Sequence, residues 1–116
     1  MSCGFSTGCI DLVVETLIFS PTNPVVGDTV TFTALVKNIG DTAAGPFTVN
    51  MRLDDELIGQ NFRIDGLGPG QTVPVESTLV FSERDAHFFH ATADVNDEVN
   101  EPFVLNNKET VVFQVR

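Results

Sequence analysis

Tyrosine and tryptophan are missing from this sequence, although phenylalanine occurs ten times. Tyr and Trp are the residues most enriched at protein-recognition hot spots. Their absence argues against a high-affinity paratope and against sugar binding by stacking on an exposed ring. Basic residues are scarce too: six Lys and Arg stand against 16 Asp and Glu, for a net charge of −10. Such a field repels nucleic acid and anionic membranes and favours cations and basic partners. It equally describes a solvated acidic surface. No stretch approaches the roughly 20 apolar residues that span a bilayer, so membrane insertion is excluded from the reading. The first nine residues lack the basic start and apolar run of a signal peptide. The chain is therefore read either as not exported or as a piece of something exported.

Cysteine is limited to Cys3 and Cys9, too few for a disulfide scaffold. Three states are open to them: a small local disulfide, a bond between subunits, or free thiols in a leader. A local loop of this size stabilises little in the chain-entropy account.

The 116 residues suit one domain, and from Asp11 onward they read as strands separated by turn signals. Residues 11–19 form a first strand that stops at Pro21 and Pro24. In residues 29–38, Val30, Phe32, Ala34 and Val36 alternate with Thr29, Thr31 and Thr33, the mark of a half-buried antiparallel strand. A third strand at 47–54 points Phe47, Val49, Met51 and Leu53 one way and Thr48, Asn50 and Arg52 the other. A fourth, about 57–64, carries Gly59 as a bulge. A fifth, 71–81, turns Val73, Val75, Leu79 and Phe81 inward, and Pro74 assigns it to a sheet edge. After a turn at Glu83-Arg84-Asp85 the sixth strand, 87–95, buries Phe89, Ala91, Ala93 and Val95. The seventh, 108–116, buries Val111, Phe113 and Val115. Seven short strands at even spacing predict an all-β, seven-stranded antiparallel immunoglobulin-like sandwich. Residues 1–10 are left over as an N-terminal leader or arm, and 11–116 form the domain.

The segments Asp11-Leu-Val-Val, Pro24-Val-Val-Gly27-Asp28-Thr-Val-Thr-Phe-Thr, Val36-Lys-Asn38-Ile-Gly40 and Ile64-Asp-Gly66-Leu-Gly68-Pro-Gly70-Gln-Thr come in a telling order. With Phe47-Thr-Val, Asp94-Val-Asn96, Val99-Asn-Glu101 and Asn106-Asn107, they resemble the cell-adhesion-related domain of bacteria (CARDB) across about 11–116. The resemblance implies a seven-stranded Ig-like domain of bacterial or archaeal surface or secreted proteins. It implies no catalytic motif, a role in adhesion, binding or spacing, and other domains as partners in tandem or in an assembly. Glu56 stands where the family commonly has Gly, which argues against a type I′ hairpin there. Gly27, Gly40, Gly66, Gly68 and Gly70 are read as turn formers. Asn38, Asn106 and Asn107 are read as residues able to enter left-handed backbone and bond nearby groups.

Gly4-Phe5-Ser6-Thr7-Gly8 matches G-x-S-x-G but lacks the strand, helix and α/β fold that a nucleophile elbow requires. His87 and His90, three residues apart on a strand, face opposite ways and cannot converge on one metal. A zinc set joining them to Cys3 and Cys9 has no recognised spacing. The richest ligand candidate is Asp94, Asn96, Asp97, Glu98 and Glu101, oxygen donors suited to weak calcium binding, although Val99 and Leu105 break the EF-hand pattern. A solvated acidic loop explains the same residues. No other cofactor is expected. Edge strands, with residues 1–10 as a donor arm and Cys3 or Cys9 as a lock, make a homo-oligomer the remaining partner expectation.

Overall fold

The computed structural model describes residues 10–54, 59–93 and 108–116. Seven strands run in chain order: β1 Leu12–Ser20, β2 Thr29–Asn38, β3 Phe47–Leu53, β4 Gln60–Ile64, β5 Thr72–Val80, β6 Asp85–Ala93 and β7 Lys108–Val115. They form two sheets, ordered β1-β2-β5 and β4-β3-β6-β7, and every pairing is antiparallel. This is the expected immunoglobulin-like sandwich.

The core lies between the sheets and is built by the period-two residues. Val30, Phe32, Val36, Phe47, Val49, Met51, Val75, Phe81, Phe89, Ala91, Ala93, Phe113 and Val115 are all buried. Leu53, Leu79 and Val111 pack against the core only partly buried. At its centre the Phe32 and Phe89 rings stack across the two sheets at 3.9 Å and 12°. Phe19 and Phe113 close tilted contacts around Phe32 at 6.1 and 5.4 Å. Phenylalanine carries no polar handle that a buried ring must satisfy, so a core this rich in aromatics needs no internal hydrogen bonds.

Four local expectations change. The sixth strand begins at Asp85, so the turn placed on Glu83-Arg84-Asp85 ends one residue sooner, because Asp85 pairs with Val115. Gly59 precedes β4 rather than bulging within it. It sits at φ +63°, and a Cβ there would stand 2.5 Å from Met51 O and 2.6 Å from Arg52 Cβ. Thr48 and Asn50, on the outer side of β3, are buried. Side chains cover them: Arg63 Nη1 donates to Thr48 Oγ1 at 3.1 Å and Asn50 Nδ2 to Asn61 Oδ1 at 2.9 Å. Among the described residues other than glycine, only Asp54 takes positive φ, so Asn38 is not left-handed. Pro74 does lie on an edge strand, β5.

Asn38 instead ties together one pole of the sandwich. Its side chain is fully buried. Nδ2 donates to Thr42 O at 2.8 Å and Leu67 O at 3.1 Å, while Oδ1 accepts from Asp11 N at 3.3 Å and Gly40 N at 3.0 Å. At the opposite pole the end of the chain joins the turn before β2, with Arg116 N donating to Pro24 O at 3.0 Å and Val26 N to Arg116 O at 2.9 Å. Seven antiparallel strands thus make the chain enter the sandwich at the Asn38 pole and leave it at the Pro24 pole.

Candidate functional site

Two neighbouring features hold most of the polar chemistry outside the Asn38 pole. The first is the corner after β3. Asp54 adopts φ +52°, and its N–H donates to Phe88 O at 2.7 Å. Its carboxylate accepts from Phe88 N through Oδ1 at 2.8 Å and meets His87 Nδ1 through Oδ2 at 2.7 Å. The His87 ring packs against Phe81 and Phe113 with centroids 4.9 and 5.6 Å away, and a shallow depression beside it is lined also by Val80, Ser82, Glu83 and Asp85. Burial alone raises the Asp54 pKa. The hydrogen bonds from His87 and Phe88, with the charges of His87 and His90, outweigh it and hold the carboxyl below its ordinary value.

The second feature is the outer face of the four-stranded sheet. Strand register lays its residues in rows: Arg52, His90 and Thr110 share one, and Phe88 and Val112 the next. Phe88 is 51 % exposed and Val112 63 %. His90 lies parallel to Phe88 at 6.5 Å and 1°, and its Nδ1 is 2.8 Å from Thr110 Oγ1. Three of the chain's six cationic residues, Arg52, Arg63 and Lys108, belong to this face. Asp54 stands at its rim, with its carboxylate held by His87 and Phe88. Arg52 Nε is buried without a hydrogen-bond partner. Burial, then the positive charges of Lys108 and Arg52, hold the His90 pKa below its ordinary value against the opposing pull of Asp54.

The signs of these two shifts agree. A depressed folded pKa means that the unfolded chain binds the proton more tightly, so each group contributes stability above its unfolded value and loses it as pH falls through the folded value. For His90 that loss begins below the ordinary 6.5, and for Asp54 below the ordinary 3.8. Urea denaturation between pH 8 and 3 is expected to show stability falling in two stages. In His90→Gln the first stage flattens and the second persists. Unchanged pH dependence in that variant would contradict the assignment.

His87 and His90 do face opposite ways: His87 joins the aromatic core and His90 the outer face. Asp94, Asn96, Asp97, Glu98 and Glu101 lie outside the described residues, as do Cys3, Cys9 and the Gly4–Gly8 motif. Among the described residues no three His, Cys, Asp or Glu side chains gather as a metal site, and no helix is long and apolar enough to cross a membrane. The Asp54–His87 contact joins residues 33 positions apart, and no local pattern announces it.

The CARDB family model matches residues 10–111. The chain belongs to the CARDB family. This is not an enzyme family. Among solved structures, the CARDB domain of a Pyrococcus furiosus protein in complex with di-metal ions is similar at TM-score 0.81 and 20 % identity, over 93 % of this chain and 90 % of that one. A domain of a candidate cell surface protein from Methanosarcina acetivorans follows at TM-score 0.70 and 19 % identity, over 93 % of each chain. A β-glucosidase from Erythrobacter marinus also contains the fold, at TM-score 0.67 and 14 % identity, but the match covers only 16 % of that enzyme. At these identities the likeness concerns the fold. No curated protein matches the sequence as a relative.

Proposed function

We propose that this CARDB domain is a non-catalytic adhesion and spacer module of a bacterial or archaeal cell-surface or secreted protein. The observation that carries the reading is the placement of entry and exit at opposite poles, Asp11 bonded to Ile39 and Asn38, and Arg116 to Pro24 and Val26. Domains joined in series through such ends extend one another, as a spacer requires. The description of the similar Methanosarcina domain as part of a candidate cell surface protein supports the reading.

A tandem of two full-length copies tests it by small-angle X-ray scattering. Strands of about nine residues make each sandwich roughly 30 Å long, so the maximum dimension should grow by at least that amount over the single chain. A tandem no longer than one copy would overturn the spacer reading. Calcium at Asp94, Asn96, Asp97, Glu98 and Glu101 is a further proposal, supported by five oxygen-bearing side chains within eight residues. Millimolar calcium added to the metal-free tandem should then raise Tm by mass action; an unchanged Tm would remove calcium from the reading.

A further inference from the structure

We propose that copies of this chain stack side by side, the outer face of β4-β3-β6-β7 in one copy lying on the outer face of β1-β2-β5 in the next. The first face is the cationic one, with Arg52 and Lys108 around the exposed Phe88–Val112 pair. Arg52 Nε is itself buried without a hydrogen-bond partner, so it is the charge of the guanidinium that this face offers to an incoming carboxylate. The second face carries the complement. Ile18, Thr33 and Glu76 share one row across its three strands, and Glu15 stands at its margin 3.7 Å from Lys37. Ile18 is 55 % exposed and Val80 64 %. Each face thus offers two large apolar side chains; Glu76 on the second complements Arg52 and Lys108 on the first, while Glu15 is already matched by Lys37 on its own face. Packing like on like would set Arg52 and Lys108 against their own copies, which costs several kcal/mol in an interface. Unlike faces are therefore the favoured pair, and a contact between unlike faces does not close: it builds an open stack.

The net charge of −10 opposes this at low ionic strength. At about 0.15 M salt the screening length is roughly 8 Å, so repulsion between whole molecules fades while contacts a few ångströms long survive. Association is expected to be stronger at 0.15 M than at 0.01 M salt.

Sedimentation velocity of the full chain across protein concentration, in 0.15 M salt with reductant, reads this directly. The wild type should form concentration-dependent oligomers. Lys108→Glu, Glu76→Lys and Val112→Thr each change an exposed side chain. Each should raise the dissociation constant about tenfold, equivalent to about 1.4 kcal/mol, with an unchanged thermal melt. Removal of residues 1–9 should leave association intact. A wild-type monomer at millimolar concentration overturns the proposal, as do oligomers indifferent to all three substitutions. Association lost only with residues 1–9 also overturns it and assigns the contact to the N-terminal arm.

Discussion

Phe32→Ala is expected to cost about 3–5 kcal/mol, the range for removing a fully buried aromatic ring and leaving a cavity that the surroundings only partly fill. Phe32 is completely buried and lies where rings from both sheets meet, stacked on Phe89 and flanked by Phe19 and Phe113. Domains of this size hold only about 5–15 kcal/mol in total, so the variant should sit near the edge of folding. Urea denaturation is the measurement: the midpoint should fall while the slope stays constant. A double-mutant cycle with Phe89→Ala should return a coupling of roughly 0.5–1.5 kcal/mol beyond area burial. A loss under about 1 kcal/mol would show that the ring is not part of a packed core.

Asn38→Ala should destabilise by roughly 3 kcal/mol through a different cause. Truncation removes the Asn38 partner of the donors at Asp11 and Gly40 and of the Thr42 acceptor, while Leu67 O keeps its bond from Ala44 N. Each buried polar group left unmade costs about 1–3 kcal/mol, less where water can enter. Asn38→Asp is the more telling substitution. It keeps the acceptor oxygen but points a carboxylate at two carbonyl oxygens, so at neutral pH it should be at least as damaging as Ala. Acid that protonates the new carboxyl should recover part of the loss. Chemical denaturation of both variants at pH 7 and pH 4.5 decides it, and an Asp variant as stable as wild type at pH 7 would refute the bonding scheme.

The strands were legible where one face is buried and the other is not. Thr29 to Ala34 alternates cleanly because β2 is central and its outer face carries Thr there; Leu35 then puts an apolar residue on that face. The first strand was harder to orient. Its run Leu12-Val13-Val14 is buried throughout, and the register shifts between Val14 and Thr16. Leu12, Val14 and Leu17 therefore join the core across a break in the period of two, which alternation alone cannot assign to a face. Ala44 and Leu67 escaped for another reason: they sit in segments that read as loops, yet they bridge to each other and are buried. Asn38 carried a local signal, a turn-forming residue after a strand, but its partners at Leu67 and Asp11 are 29 and 27 positions away. The cationic face was hidden in the same way. Arg52, His90 and Lys108 are scattered in an acidic sequence, and only the β3-β6-β7 register gathers them.

The pairing at the Pro24 pole also bears on load. Antiparallel ladder bonds lie across the strand axis. A tension applied between the start of β1 and the end of β7 acts along that axis, from one pole to the other. It therefore strains the β1–β2 and β6–β7 ladders in shear, with many bonds resisting at once rather than parting one after another. The two bonds that join Arg116 to Pro24 and Val26 form a clasp where the force leaves the domain, so a chain of such units would transmit a pull without first surrendering its terminal strand.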